Sequence, residues 1–143
     1  MDGYWGDQAA SEQRFPIDPA TGERMLRTGD YGFLDTDGAL TFVGRKDDIF
    51  KRHGVRTSLS EVEAAALDIP EVLEAAAALV GPRRECVLWV DSALRAEQVM
   101  KEIADRIGSA KVPDRCLVVS TLPRTTSGKI DKVQLSTSLV AAE

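Results

Sequence analysis

From residue 72 onward the apolar residues fall into a pattern that only a packed mixture of strand and helix can use. Cys86-Val87-Leu88-Trp89-Val90 is an unbroken apolar run of strand length, and Cys116-Leu117-Val118-Val119 is a second. Between them Val99, Met100, Ile103 and Ile107 recur at helical spacing, which predicts a helix over about 95–107 with one apolar face, ended by Gly108. An earlier helix is signalled by Ser58 and Ser60, either of which suits an N-cap, with Glu61 and Glu63 three residues on in capping-box position. It should stop near Pro70. Leu122–Lys129 reads as a polar loop and Asp131–Leu139 as a short helix. The segment Val72–Val80 is rich in alanine and by propensity alone is helical; Gly81-Pro82 then turns the chain.

The first third reads differently. Asp18-Pro19-Ala20-Thr21-Gly22 is a turn. Tyr31–Asp35 and Ala39–Val43 flank Asp37-Gly38, a hairpin signal, because the tight turn needs positive φ. This part holds too little apolar sequence for a core of its own. The charged run Arg45-Lys46-Asp47-Asp48 suits a linker, and Ile49–Arg56 suits a short strand pair turning at Gly54.

Composition removes several function classes. The 143 residues carry a net charge of −5 without a long basic run, which disfavours nucleic acid. Cys86 and Cys116 are far apart and His53 is the only histidine, so no Cys/His metal site is expected, and both thiols suit a reducing interior. The first residues lack the basic and apolar regions of a secretion signal, and no stretch approaches the roughly 20 apolar residues of a membrane span. The expected place is the cytoplasm, with no membrane partner.

Three stretches carry chemistry. The first is Arg27-Thr28-Gly29-Asp30. The second is Gly44-Arg45-Lys46-Asp47-Asp48 through Lys51, followed by Gly54-Val55-Arg56 and Ser60-Glu61-Val62-Glu63. The third is Leu122-Pro123-Arg124-Thr125-Thr126-Ser127-Gly128-Lys129-Ile130-Asp131-Lys132. The last is not a Walker phosphate loop, because Pro123 stands where that motif needs Gly and Ile130 where it needs Ser or Thr. In this order the three resemble the adenylate-forming superfamily of acyl-CoA synthetases, peptide-synthetase adenylation domains and luciferases. Gly3-Tyr4-Trp5 is also similar to a segment of that family. Any one motif is a weak signal; the three together span nearly the whole chain.

The resemblance implies a role for each residue. Lys129 would be the adenylation lysine, its ammonium offsetting charge on the reacting carboxylate and the α-phosphate. Asp30 would accept hydrogen bonds from the two ribose hydroxyls, a match of two oxygens to a vicinal diol. Arg45 would lie near the nucleotide, where its fork of donors suits ribose and phosphate. Asp47 would be the hinge about which the small domain rotates between two poses. Gly54 would border a tunnel for the acceptor thiol, although a plain turn glycine explains it equally. The implied small molecules are ATP or AMP, Mg2+ held mostly by a large domain, and CoA or phosphopantetheine as acceptor. The stretch Pro123–Lys129 also resembles a segment that is lysine-acetylated in some acyl-CoA synthetases.

The implied fold is α+β. Residues 1–46 would be a β-hairpin remnant of the large domain. Residues 47–143 would form the small C-terminal domain: a short hairpin, then a three-stranded sheet flanked by helices. On this reading Glu74–Val80 becomes a strand despite its alanines. The large domain's Gly-rich phosphate loop and acyl pocket are not in this sequence. The implied function is therefore the C-terminal portion or small subunit of an acid–thiol ligase, inactive alone. Alternatively it is a non-catalytic module that docks on a carrier protein or a full synthetase, or a piece of a longer enzyme. Leu26, Thr57, the short Gly81–Glu85 segment and Lys132 depart from the usual family pattern. Unpaired strand edges in residues 1–44 should lead to a bound partner, to self-association, or to disorder before about residue 25.

Overall fold

The computed structural model describes residues 3–141. By its internal contacts the chain divides between Lys46 and Asp47 into two compact units.

In the first unit Asp7 starts a short helix, α1 (Gln8–Arg14), by accepting a hydrogen bond from Ala10 N–H at 2.9 Å. This helix was not anticipated from the sequence. Residues 3–25 are folded rather than disordered, which removes one of the three outcomes expected for this region. The Asp18–Gly22 turn is present, with Gly22 N–H donating to Asp18 O at 2.8 Å. Strands β1 (Asp30–Leu34) and β2 (Leu40–Arg45) pair antiparallel around Asp37-Gly38. Phe33, Leu34, Leu40 and Phe42 are all exposed on this hairpin.

The second unit begins with a 3-10 turn at Lys46–Asp48 and the hairpin β3 (Ile49–Arg52) and β4 (Val55–Ser58). Helix α2 (Leu59–Leu67) follows at once, capped by Ser58 Oγ, which accepts from Glu61 N–H at 3.2 Å. Glu61 also accepts from Thr57 Oγ1 at 2.8 Å and pairs with Lys111.

Three strands make the central sheet, in order β5 (Val72–Val80), β6 (Glu85–Ser92) and β7 (Arg115–Val118). β5 runs antiparallel to β6, and β6 parallel to β7. The crossover between β6 and β7 carries α3 (Ala96–Ile107), whose end is capped by Gly108 N–H donating to Ala104 O at 2.9 Å. The chain closes with α4 (Lys132–Ala141).

The sheet is covered on both faces, so its strands are apolar at nearly every position. Ala75, Ala77, Cys86, Leu88 and Val90 point to one face, where they pack with Val62 and Ala66 of α2 and Val99 and Ile103 of α3. Ala76, Ala78, Val80, Val87 and Trp89 point to the other, where Leu122 and Leu135 cover them. The alanine run is therefore a strand because tertiary context outweighs propensity. Its small side chains stand directly across from large ones, Ala76 from Trp89 and Ala77 from Leu88, so that layers fit on both sides.

Candidate active-site segments

Lys129 sits just past the tip of a small hairpin. An isolated bridge pairs Arg124 with Ile130, and Asp131 N–H donates to Pro123 O at 2.7 Å. Within it Gly128 N–H donates to Thr125 O at 2.9 Å, and Thr125 N–H donates to Lys129 O at 2.7 Å. Gly128 has φ +82°, the left-handed residue of a bulged three-residue hairpin loop. The turn is anchored from both sides: Leu122 is buried before it, and Ile130 and Leu135 pack after it on the Trp89 face of the sheet. Two ion pairs bracket it. Arg124 pairs with Glu74 of β5, and Lys132 Nζ lies 2.7 Å from Glu63 Oε1 of α2. Arg124 Nη1 also donates to Gly128 O at 2.8 Å. Lys129 itself is exposed, and among the described residues its ammonium has no hydrogen-bond or ion-pair partner.

Asp30 and Arg45 are brought together. They are cross-strand neighbours at the open end of the β1–β2 hairpin, and Arg45 Nε lies 3.4 Å from Asp30 Oδ1. Among the described residues that long, single contact leaves the second carboxylate oxygen and the terminal guanidinium nitrogens available.

Asp47 opens the second unit, its side chain exposed and its carbonyl accepting from Arg84 Nη2 at 3.3 Å. Gly54 occupies the two-residue turn between β3 and β4, with His53 at φ 46° and Gly54 at φ +80°. Two successive positive φ values are what such a turn requires. A side chain added at Gly54 would meet nothing within 4 Å among the described residues. The turn geometry therefore accounts for the glycine by itself. Gly54 and Lys129 are anchored to opposite faces of the sheet, since Phe50 of β3 packs on the α2/α3 face.

Sequence reasoning missed Glu74 and the bracing roles of Glu63 and Arg124. Arg124 and Glu74 are 50 positions apart, beyond any local pattern. The one available signal was that Glu74 is the only charged residue in an otherwise apolar strand. Among the described residues no group of three His, Cys, Asp or Glu side chains could hold a metal ion. No helix among them is long and apolar enough to cross a membrane. Both thiols are buried. Burial pushes Cys86 up to about 12, with Asp114 adding to the effect, and pushes Cys116 up to about 11. Glu61 experiences burial, which raises its pKa, but its bonds to Lys111, Thr57 and Ser58 outweigh that and hold it below the ordinary carboxylate value.

Residues 61–129 match the sequence profile of the AMP-binding enzyme C-terminal domain. The chain is 36% identical over 146 residues to phenyloxazoline synthase MbtB of Mycobacterium tuberculosis, matching 99% of this chain and 10% of that protein. It is a C-terminal part of the adenylate-forming superfamily. Within that superfamily it is also 35% identical to a dimodular nonribosomal peptide synthase of Bacillus subtilis, over 93% of this chain and 6% of that one. The O-succinylbenzoate coenzyme A synthetase MenE of Bacillus subtilis, solved in complex with AMP, has the same fold. Its TM-score is 0.75 at 28% identity, covering 94% of this chain and 27% of that one. The chain thus spans only a small part of the length of each of these relatives.

Proposed function

We propose that this chain is the carboxy-terminal portion or small subunit of an ATP-dependent acid–thiol ligase, and that it acts only with a large adenylating domain. The carrying observation is the Lys129 ammonium, without a partner among the described residues and exposed next to a turn that is held from both sides. An ammonium so presented is arranged to meet negative charge supplied from outside this chain. Lys129 would stabilise charge building on the carboxylate and α-phosphate oxygens as the acyl-adenylate forms and pyrophosphate leaves. Asp30 would bind the ribose hydroxyls, and Arg45 beside it would donate to the nucleotide. Both suit a nucleoside, since each keeps free hydrogen-bonding atoms at an exposed strand end.

Passage of the acyl group to CoA or a carrier-protein pantetheine would use the other face of the small domain. That division is supported by the anchoring of Lys129 and Gly54 to opposite faces of the sheet. Asp47, at the boundary between the two units, would be the hinge. Mg2+ would be held by the large domain. Residues 1–46 would complete a β subdomain of that domain, which supplies a partner for the exposed Phe33, Leu34, Leu40 and Phe42.

The test is ATP–pyrophosphate exchange by this chain joined to, or mixed with, the large domain. Lys129→Ala should lower the rate roughly 100- to 1,000-fold, the range for removing one preorganised electrostatic group. An unchanged rate would sink the catalytic reading and leave the docking module, which the same exposed apolar hairpin also fits.

A further inference from the structure

The two peptide planes that flank the Lys129 Cα are each held by a different partner. Lys129 O accepts from Thr125 N–H at 2.7 Å and from Thr125 Oγ1 at 3.2 Å. Both of those contacts stay inside the loop. Gly128 O, on the plane before Lys129, accepts from Arg124 Nη1 at 2.8 Å. The other arm of the same guanidinium pairs with Glu74 of β5. Glu74 shares the strand parity of Ala76, Ala78 and Val80, so it rises from the face of the sheet that carries the loop. A shift of register between Val72 and Glu74 marks the strand there. Such irregularities re-aim side chains. The loop's own bonds fix its shape, and the Glu74–Arg124–Gly128 chain fixes that shape to the sheet.

We propose that Glu74, acting through Arg124, is a positioning residue that sets the direction in which Lys129 leaves the backbone. The inference rests on the catalytic reading of Lys129. The pair is substantially exposed, with side chains 49% and 32% accessible for Arg124 and Glu74, so it contributes little to stability. Its contribution is geometric, because a guanidinium can engage a carboxylate and a carbonyl with separate nitrogens held in one plane, and an ammonium cannot.

The test uses the synthetase that contains this chain, with kcat and KM for ATP read separately in pyrophosphate exchange. Glu74→Gln and Arg124→Lys should each lower kcat roughly tenfold, because displaced catalytic groups lose rate before they lose binding. KM for ATP and the thermal midpoint should hardly move. The exchanged pair Glu74→Arg/Arg124→Glu restores an ion pair, but a carboxylate at position 124 cannot donate to Gly128 O, so kcat should stay low. Recovery of kcat in that double variant would reduce the pair to a simple tether and overturn the proposal. So would an unchanged kcat in Glu74→Gln while Lys129→Ala abolishes exchange. An unchanged rate in Lys129→Ala would overturn the catalytic reading and this inference together.

Discussion

Replacing Leu135 by Ala tests whether α4 is docked on the sheet as described. Leu135 is the one buried residue of α4, 8% exposed, and it packs in the same cluster as Trp89 and Leu122. The change removes three carbon groups at about 0.8 kcal/mol each, or about 2.4 kcal/mol of transfer free energy. A residual cavity adds to that, and buried Leu→Ala changes cost about 2–5 kcal/mol in all. Leu135 lies on the final helix, where the structure can partly collapse around the gap, so a loss of about 3 kcal/mol is expected. With a urea slope of about 2 kcal/mol per molar, the midpoint should fall by about 1.5 M. Trp89 emission reports the transition, because Trp89 is buried in this cluster while Trp5 is fully exposed in the folded chain. The control is Val133→Ala on the same helix, where the side chain is 76% exposed and the change should stay within about 0.5 kcal/mol. Equal losses from Leu135→Ala and Val133→Ala would refute the docking of α4 through Leu135, and with it the anchoring of the Lys129 turn.

Three further outcomes are expected. Because Glu61 titrates below its ordinary value in the folded chain, its contribution is present above the unfolded carboxylate pKa and is lost as pH falls through the lowered one; acid titration of stability should be shallower in Glu61→Gln, and identical curves would contradict the pairing with Lys111. Cys86 and Cys116 should resist iodoacetamide at about pH 8 until the chain is denatured, since the thiolate is the reactive form; free-thiol rates in the folded protein would contradict their burial. Gly54→Ala should lower stability by about 1–2 kcal/mol through the positive φ alone, because the new methyl group meets nothing, and a urea melt that showed no loss would contradict the turn geometry.

Much of the second unit was legible because its signals are local. The periodicity of Val99, Ile103 and Ile107, the cap at Ser58 and the stop at Gly108 act over a few residues, and the structure uses each of them. Val72–Val80 was not legible from propensity, since four alanines say helix and only the large residues across from them on β6 make a strand the better packing. Helix α1 was overlooked for a different reason. The structure caps it at Asp7, but Gln8–Arg14 buries only Ser11 and so shows no apolar stripe to read. At the candidate site, residue types and order pointed to Lys129, Asp30 and Arg45. The bracing by Glu74 and Glu63 could not be read, because it depends on which strand and helix lie beside the loop after folding.

Glu63 has a second consequence. Its carboxylate accepts a hydrogen bond from Ala77 N–H at 2.6 Å as well as holding Lys132. Ala77 lies in β5, one of the two outer strands of the sheet and a largely apolar stretch. An outer strand with free amides and no charge is a template on which another molecule can add a strand of its own. The carboxylate occupies one of those amides and sets a negative charge along the row. The residue that braces the end of the Lys129 segment therefore also takes one strand-pairing amide out of use on the edge of the alanine strand.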